Sequence, residues 1–352
     1  MKSSNPRPLL ALIGGFLGAG KTSLILSAAR ILGERGMRCA AILNDQGEEL
    51  VDTQYAELHG TPAREITGGC FCCRFSQLRS SIENLRLLLP DIIFAEPVGS
   101  CTDLVASVIE PLREEFELCR VAPFTVLIDP ARIAEFTSPA ANPLVTYLWR
   151  RQVEEADLVC LTKADRYPLA TSLPGVHAHR ISAKTGAGVA EWLDQVLCSS
   201  RSAGDHLLDI DYERYTAAEA ALAWMNLSLH LELSSPATSA TLFGPFLDCL
   251  AAALDKAGVR IVHLKLIDRT PAGWLKAAIC THGEDPIVEG DLDASPAKEH
   301  EVLVNLRALG DPAVVRQIAE YELRQLGGTT SAVHLVCFSP QPPKPERRTV
   351  RS

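Results

Sequence analysis

The sequence predicts an α/β protein: a mostly parallel sheet covered by helices on both faces, followed by a smaller α+β domain. Three observations carry this. Short apolar, β-branched-rich runs alternate with helical stretches through residues 1–200, the pattern of parallel strands buried on both sides. The first run ends in Gly15-Phe16-Leu17-Gly18-Ala19-Gly20-Lys21-Thr22, which fits GxxxxGK[ST] with a strand before it and a helix after it. Past residue 218 the order becomes strand, helix, three strands, helix, strand. At 352 residues and about 150 per domain, two domains are expected. They are residues 1–200 and 219–340, with a polar linker at 201–218 and a Pro- and Arg-rich disordered tail at 341–352.

Residues 9–13 read as the first strand and 23–32 as the helix after it. The loop between them aims backbone N–H groups and a helix N-terminus at phosphates. Gly15, Gly18, Ala19, Gly20 and Ser23 form that cradle, Lys21 reaches the β/γ-phosphates, and the Thr22 hydroxyl binds Mg²⁺. Residues 39–44 are the second strand, 77–89 a helix and 91–95 the third strand. The third strand runs into Glu96-Pro97-Val98-Gly99, a carboxylate placed to orient Mg²⁺ or the attacking water, with Gly99 admitting backbone close to the γ-phosphate. Lys21, Thr22 and Glu96 are thus the catalytic candidates. Residues 124–129 and 158–162 are the fourth and fifth strands. Thr162-Lys163-Ala164-Asp165 resembles the NKxD element of GTPases, whose Asp accepts two hydrogen bonds from guanine. Ser182-Ala183-Lys184, after a strand-like 179–181, resembles the SAK element that offers a backbone N–H to the guanine oxygen. In this order they make GTP the expected nucleotide. Thr162 stands where most GTPases have Asn and keeps only part of the amide's hydrogen-bonding capacity.

Between the second and third strands lies Gly68-Gly69-Cys70-Phe71-Cys72-Cys73-Arg74. Cys70, Cys72 and Cys73 point to a soft thiolate site for Zn²⁺ or another late transition metal; small buried apolar side chains are the plainer alternative. Three thiolates leave a tetrahedron one ligand short. Asp45, Glu48, Glu49, Asp52 and His59 precede the cluster as candidates for the fourth position, beside water or a client's ligand. The cluster falls in the stretch that senses the γ-phosphate in switch-type GTPases, so metal binding is expected to follow nucleotide state.

GGFLGAGKT at 14–22, GGCFCC at 68–73, EPVG at 96–99, TKAD at 162–165 and SAK at 182–184 together resemble the CobW family of SIMIBI-class GTPases, relatives of the UreG and HypB nickel-insertion GTPases. The resemblance covers about residues 7–200 and is nearest a branch described as cobalamin-biosynthesis-type. It implies slow GTP hydrolysis, Zn²⁺ or Co²⁺ held by the CxCC thiolates, delivery of metal to a client metalloprotein, and a homodimer as one working state. Most members carry NExG after the second strand. Here it is Asn44-Asp45-Gln46-Gly47, so the metal contact implied for Asp45 is one methylene shorter.

The net charge of −9 without a basic stretch to offset it argues against nucleic acid as partner. No apolar run approaches the ~18 residues of a membrane span. The N-terminal apolar segment runs straight into the phosphate loop, unlike a signal peptide, and the 11 cysteines read as free thiols or metal ligands in a cytoplasmic setting. In the second domain Asp311-Pro312 is a helix start, and the βαβββαβ order suggests a ferredoxin-like fold with an extra strand. Cys249 and Cys280 read there as core, and the domain as a client-recognition or regulatory module. Two rival functions remain: a metal sensor or buffer, and a nucleotide-driven activator of a corrinoid or other metalloenzyme whose cysteines are structural.

Overall fold

The computed structural model describes residues 7–47, 51–169, 173–198, 203–291 and 296–350. The ligand candidates Glu48 and Glu49 lie outside the described residues, as do positions 201–202 of the expected linker. The chain divides into two units, one of residues 1–46, 52–218 and 342–352, the other of 47–51 and 219–341.

In the first unit the elements run β1 (Leu9–Gly15), α1 (Lys21–Glu34), β2 (Cys39–Asn44), α2 (Val51–Leu58), β3 (Ala63–Ile66), α3 (Phe75–Arg86), β4 (Ile92–Glu96), α4 (Glu110–Glu114), β5 (Arg120–Val121), β6 (Thr125–Ile128), α5 (Pro130–Thr137), α6 (Pro143–Glu154), β7 (Leu158–Leu161), β8 (Ala178–Arg180), α7 (Val189–Leu197) and α8 (Tyr212–Ala220). The sheet order is β3-β2-β4-β1-β6-β7-β8, with β5 alongside β1. Its ladders are parallel. Every residue of β1, β4, β6 and β7 is buried, the property that made them legible as continuous apolar runs. Strand order reverses at β1, between β4 and β6, which opens a crevice at the carboxyl ends where such sheets bind ligands.

Two expectations are corrected. The segment read as a linker at 201–218 is structured: Ile210, Tyr215 and Ala218 pack with Tyr147 and Leu148, and Gly204 and Asp205 donate backbone N–H groups to Asp157 at 2.8 and 3.0 Å. Its polar look came from the surface face of α8. The tail read as disordered is placed from 342 to 350 within the first unit, because its charged residues find partners described below.

After β4 the chain crosses Gly99–Asp103 without regular structure and enters a π-helical turn (Val105–Ile109) ahead of α4. Two buried side chains from the end of α6 fix this crossing. Gln152 Nε2 donates to Gly99 O (2.9 Å) and Cys101 O (2.8 Å). The Glu155 carboxylate accepts from Thr102 Oγ1 (2.6 Å), Leu104 N (2.7 Å), Val105 N (3.3 Å) and Asp103 N, taking the N–H groups that a helix start leaves without partners.

The second unit is β9 (Leu222–Ala237), α9 (Ser239–Lys256), β10 (Arg260–Thr270), β11 (Gly273–Ile279), β12 (Ile287–Gly290), β13 (Ala297–Leu309), α10 (Pro312–Gln325) and β14 (Thr329–Phe338). The order β12-β11-β10-β13-β9-β14 is antiparallel throughout. This is the ferredoxin-like arrangement, extended at one edge by β11 and β12. Alternate residues of β9 (Ala223, Met225, Leu227, Leu229) meet Phe243, Leu247 and Leu250 of α9 in its core. Asp311 caps α10 by accepting from Ala313 N at 2.7 Å. Cys280 is buried as expected, whereas Cys249 is exposed on the outer face of α9. Val51 also belongs here, packed on Ile267 and Leu303 and donating its N–H to Asn305 Oδ1 at 3.0 Å.

Burial pushes the Glu155 pKa up to about 7 from an ordinary 4.5, against the pull of its four donors. Between those values unfolded Glu155 ionises while the folded group keeps its proton. Its contribution therefore lowers stability as pH rises from 4.5 to 7, by up to ~3 kcal/mol. Denaturant titrations of wild type and Glu155→Gln across that range should diverge with pH; parallel curves would contradict the assignment.

Candidate nucleotide and thiolate sites

The phosphate loop follows from β1. α1 starts at Gly20 (φ 89°) with no side chain capping its first turn and no acid within that turn, so its leading N–H groups are presented to an anion. Lys21 is buried, donates to Gly15 O at 3.1 Å and lies 3.8 Å from Glu96. Thr22 Oγ1 sits 2.8 Å from Glu96 Oε2 and 2.9 Å from Asp52 Oδ1. A hydroxyl has one proton to give, so it cannot satisfy both carboxylates at once. An oxygen trio of one hydroxyl and two carboxylates is the donor set a hard divalent cation takes, and the residues present therefore fit Mg²⁺. Asp52, suggested by sequence as a ligand for the cysteine site, belongs to this oxygen cluster instead. Gly99 lies against the same loop: a Cβ there would sit 2.8 Å from Leu17 Cδ2 and 3.0 Å from Leu17 N.

The guanine-type elements meet at the ends of β7 and β8, which pair in parallel. Ser182 is buried, and its hydroxyl donates to Asp165 Oδ1 at 2.5 Å. Ala164 N donates to Ile181 O at 3.1 Å and ties the two segments together. Lys163 adopts φ 54° and pairs with the buried Asp129 at 2.6 Å. Thr162 hydrogen-bonds Ile128 O through its N–H (2.9 Å) and its hydroxyl (3.3 Å), so the hydroxyl braces the sheet rather than the phosphate loop. Ala183 and Lys184 form the turn after Ser182, with Lys184 exposed.

The cysteine loop is closed from both sides. Asn44, at the end of β2, donates through Nδ2 to Ile66 O (2.9 Å) and Gly69 O (2.7 Å), and Arg74 returns to Gly68 O at 3.0 Å. Gly68 holds φ 71°, a left-handed turn that glycine takes without a steric cost. The three sulfurs lie within 4.8 Å of one another: Cys70–Cys72 2.7 Å, Cys70–Cys73 3.3 Å and Cys72–Cys73 3.8 Å. Tetrahedral zinc with Zn–S near 2.3 Å separates its sulfurs by about 3.8 Å, so a small opening of Cys70 from its neighbours makes the set fit. Cys70 and Cys72 are buried and Cys73 is half-exposed.

A fourth thiol lies beside one of them, outside the grouping of three. Cys101, buried on the segment after β4, hydrogen-bonds Cys70. Bonds from Cys101, Cys72 and Cys73 hold the Cys70 thiol well below the ordinary range, while those same contacts with Cys70 push Cys72 up and take Cys73 to about 11. The cluster thus carries one favoured thiolate among protonated partners. Sequence reasoning missed Cys101 because it stands alone in Glu96-Pro97-Val98-Gly99-Ser100-Cys101; the available signal was its place five residues past the strand-end Glu96. Among the described residues, the metal-type grouping holds none of the carboxylates or imidazoles suggested for the fourth position. Asp45 donates its N–H to Ile66 O at 3.1 Å, and His59 Nδ1 is 2.8 Å from Tyr55 O. Asp45, the carboxylate expected as a ligand, is outside the grouping of the three sulfurs among the described residues.

Residues 9–189 match the family described as CobW/HypB/UreG, nucleotide-binding domain. The chain is similar to the zinc chaperone YjiA of Escherichia coli (strain K12), 31% identical over 165 residues that cover 44% of this chain and 49% of that protein. It is also similar to the zinc chaperone YeiR of the same organism, 32% identical over 168 residues covering 44% and 46%. The chain therefore spans about half the length of the curated relatives it matches. Among solved structures, Zn(II)-bound YjiA GTPase from E. coli aligns with TM-score 0.34 at 14% identity over 91% of this chain and 99% of that one. HypB from Helicobacter pylori in complex with nickel aligns with TM-score 0.38 at 15% identity over 55% and 90%.

Gly99→Ala should push Leu17 and the loop it belongs to out of place. The expected result is a loss of about tenfold or more in affinity for a fluorescent guanine nucleotide, about 1.4 kcal/mol, with the far-UV spectrum unchanged. Wild-type affinity would show that Gly99 does not shape the loop.

Proposed function

The chain belongs to the CobW/HypB/UreG nucleotide-binding family, and from that premise we propose that it is a GTP-hydrolysing metal carrier. In this role it couples nucleotide state to the binding of a transition metal, Zn²⁺ or Co²⁺, and to its delivery to a client metalloprotein. The observation that carries the proposal is the gathering of Cys70, Cys72 and Cys73 within 4.8 Å, on a loop between β2 and β4. Those strands end where the phosphate loop and Glu96 lie in the same sheet.

Lys21 places its ammonium against the β- and γ-phosphates and offsets charge that builds there during transfer. Thr22, with Glu96 and Asp52 beside it, would hold Mg²⁺, which would supply positive charge to offset that of the phosphates. Glu96 orients the attacking water. The N–H groups of residues 18–23 cradle the phosphates, and Gly99 keeps backbone close to the γ-position. Asp165, oriented by Ser182, accepts the two guanine edge hydrogens, and the Ala183–Lys184 turn offers an N–H to the guanine oxygen. Cys70, Cys72 and Cys73 take the metal as thiolates, so its binding displaces their protons.

A second reading is favoured by Cys101. Its contact with Cys70 places a fourth thiol beside the cluster, and a site closed by four thiols would be structural rather than open for transfer, with nucleotide driving another task. Nucleotide-dependent metal release separates the two, since a closed structural site need not sense nucleotide.

Titration of Zn²⁺ and Co²⁺ into reduced protein, with GDP or a non-hydrolysable GTP analogue, should give affinities that differ at least tenfold between nucleotides. Cys72→Ser should abolish that difference and leave the fold intact; equal affinities in both nucleotide states would overturn the coupling. Zinc loading should release protons in an unbuffered titration, and zinc affinity should rise with pH as Cys72 and Cys73 ionise. Asp165→Ala should cut the preference for GTP over ATP by tenfold or more in competition binding, and an unchanged ratio would remove Asp165 from the base site.

A further inference from the structure

The described end of the chain does more than trail from the second unit. Residues 344–349 run without regular structure, bending at Glu346, past the thiolate site, and Pro343 before them is buried. Lys344 donates its backbone N–H to Cys73 Sγ at 3.1 Å, and Glu346 donates its own to Cys72 O at 2.9 Å. The Glu346 carboxylate accepts from Ser76 N (2.8 Å) and Ser76 Oγ (2.5 Å). It thereby caps α3, whose own N-cap residue Arg74 makes no side-chain capping bond. Beyond it the segment crosses to the other wall. Arg347 pairs with Glu115 at 2.7 Å and lies over the Phe75 ring. Arg348 pairs with the buried Asp103 at 2.7 Å, where Tyr212 Oη also donates at 2.6 Å. Thr349 N donates to Ala106 O at 2.8 Å.

Two walls are therefore joined by one peptide. The first is the cysteine loop with the start of α3. The second is the stretch 103–115, which begins two residues after Cys101. The first wall offers helix N–H groups to a carboxylate, and the second offers Asp103, Glu114 and Glu115 to cations. The peptide answers with Glu-Arg-Arg in matching order, and Pro342, Pro343 and Pro345 bias it toward the extended form. Its contact with the thiols falls on Cys73, the most open of the three in the cluster.

We propose that the groove between the cysteine loop and residues 103–115 is a peptide-binding site occupied by the chain's own residues 344–349, which form a releasable cover that must lift before metal enters or leaves past Cys73. The partner this surface fits is an extended segment with a carboxylate followed by two arginines. The proposal rests on the carrier reading for its metal-exchange consequence. The groove and its cover stand without it, and the test separates the two.

The first arm needs no metal. In the full chain, Arg347→Ala/Arg348→Ala removes both ion pairs while leaving every residue assigned to nucleotide or metal. Labelling of Cys73 by a maleimide, followed by peptide mass spectrometry to set aside the exposed Cys198 and Cys249, should be about tenfold faster in the double variant. Wild type should move part of the way toward that rate as salt is raised from about 0.05 to about 1 M, because screening weakens the exposed pairs of Arg347 more than the pair of Arg348 with buried Asp103. Equal rates in the two proteins would overturn the cover. In the second arm, a chain ending at Gln341 should bind a synthetic peptide of residues 342–352, read by fluorescence anisotropy, with affinity falling as salt rises. If that shortened chain does not fold, the same peptide is added to the double variant and should slow Cys73 labelling there; no slowing would count against the groove. In the third arm, zinc transfer to a chromogenic chelator should be about tenfold faster from the double variant than from wild type at equal bound zinc. A wild type that binds no zinc would sink the carrier reading alone; equal transfer rates at full loading would sink the cover.

Discussion

Gln152 and Glu155, at the end of α6, hold a stretch of chain that the phosphate loop, the thiol cluster and the covering peptide all meet. Gln152 gives both amide hydrogens to the carbonyls of Gly99 and Cys101, and Glu155 gathers the donors of residues 102–105. Fixed this way, Gly99 meets the phosphate loop at Leu17, Cys101 meets Cys70, and Asp103 meets Arg348. Three consecutive odd-numbered positions thus reach nucleotide loop, thiol cluster and covering peptide. A displacement of the crossing cannot reach one of these without straining the others, because a packed interior deforms in discrete steps rather than continuously. The wiring is physical contiguity, and its carriers are one amide and one carboxylate buried beneath the surface.

Charge explains why both sites call for cations. Around Thr22, the carboxylates of Asp52 and Glu96 face a single ammonium on Lys21. Around Cys70, thiol hydrogens stabilise one sulfur anion while its neighbours resist ionising. The first set is hard oxygen and the second soft sulfur, donor chemistries that suit different metals. Asp52 shows how finely the fold divides them. It lies in the same stretch of sequence as the residues suggested for the sulfur site, yet the fold delivers it to the oxygen site.

The parallel sheet was legible because strands such as β1 and β4 bury every residue and leave unbroken apolar runs. The phosphate loop and the cysteine loop were legible because their chemistry sits on adjacent positions. What escaped was long-range. Cys101 is a lone thiol until the crossing after β4 brings it to Cys70. The edge strand β3 is four residues, Ala63-Arg64-Glu65-Ile66, with two adjacent charges and no alternation to separate it from a loop. Residues 203–218 and 342–350 have polar compositions that usually mean solvent. Here their tyrosines and arginines meet partners more than sixty residues away, such as Tyr147 with Asp211 and Asp103 with Arg348, and no local window contains such pairings. The second domain was the easier problem, since its strands and helices follow periodicity in βαβ order and only β12 lies outside that pattern.

The 2.7 Å approach of Cys70 to Cys72 also has a redox side. A favoured thiolate beside protonated thiols is the arrangement from which a disulfide forms most readily, since the thiolate is the attacking species once an oxidant has activated its neighbour. Bound metal occupies that electron pair and protects it. Metal-free protein is therefore open to oxidation, with Cys73, the sulfur nearest solvent, the one an oxidant reaches first and Cys70 the thiolate that resolves it. The burial of Cys70 and Cys72, together with the peptide laid over Cys73, is then a shield for the metal-free protein as much as a gate for the metal. How long the thiols stay competent without metal depends on the reducing strength of their surroundings.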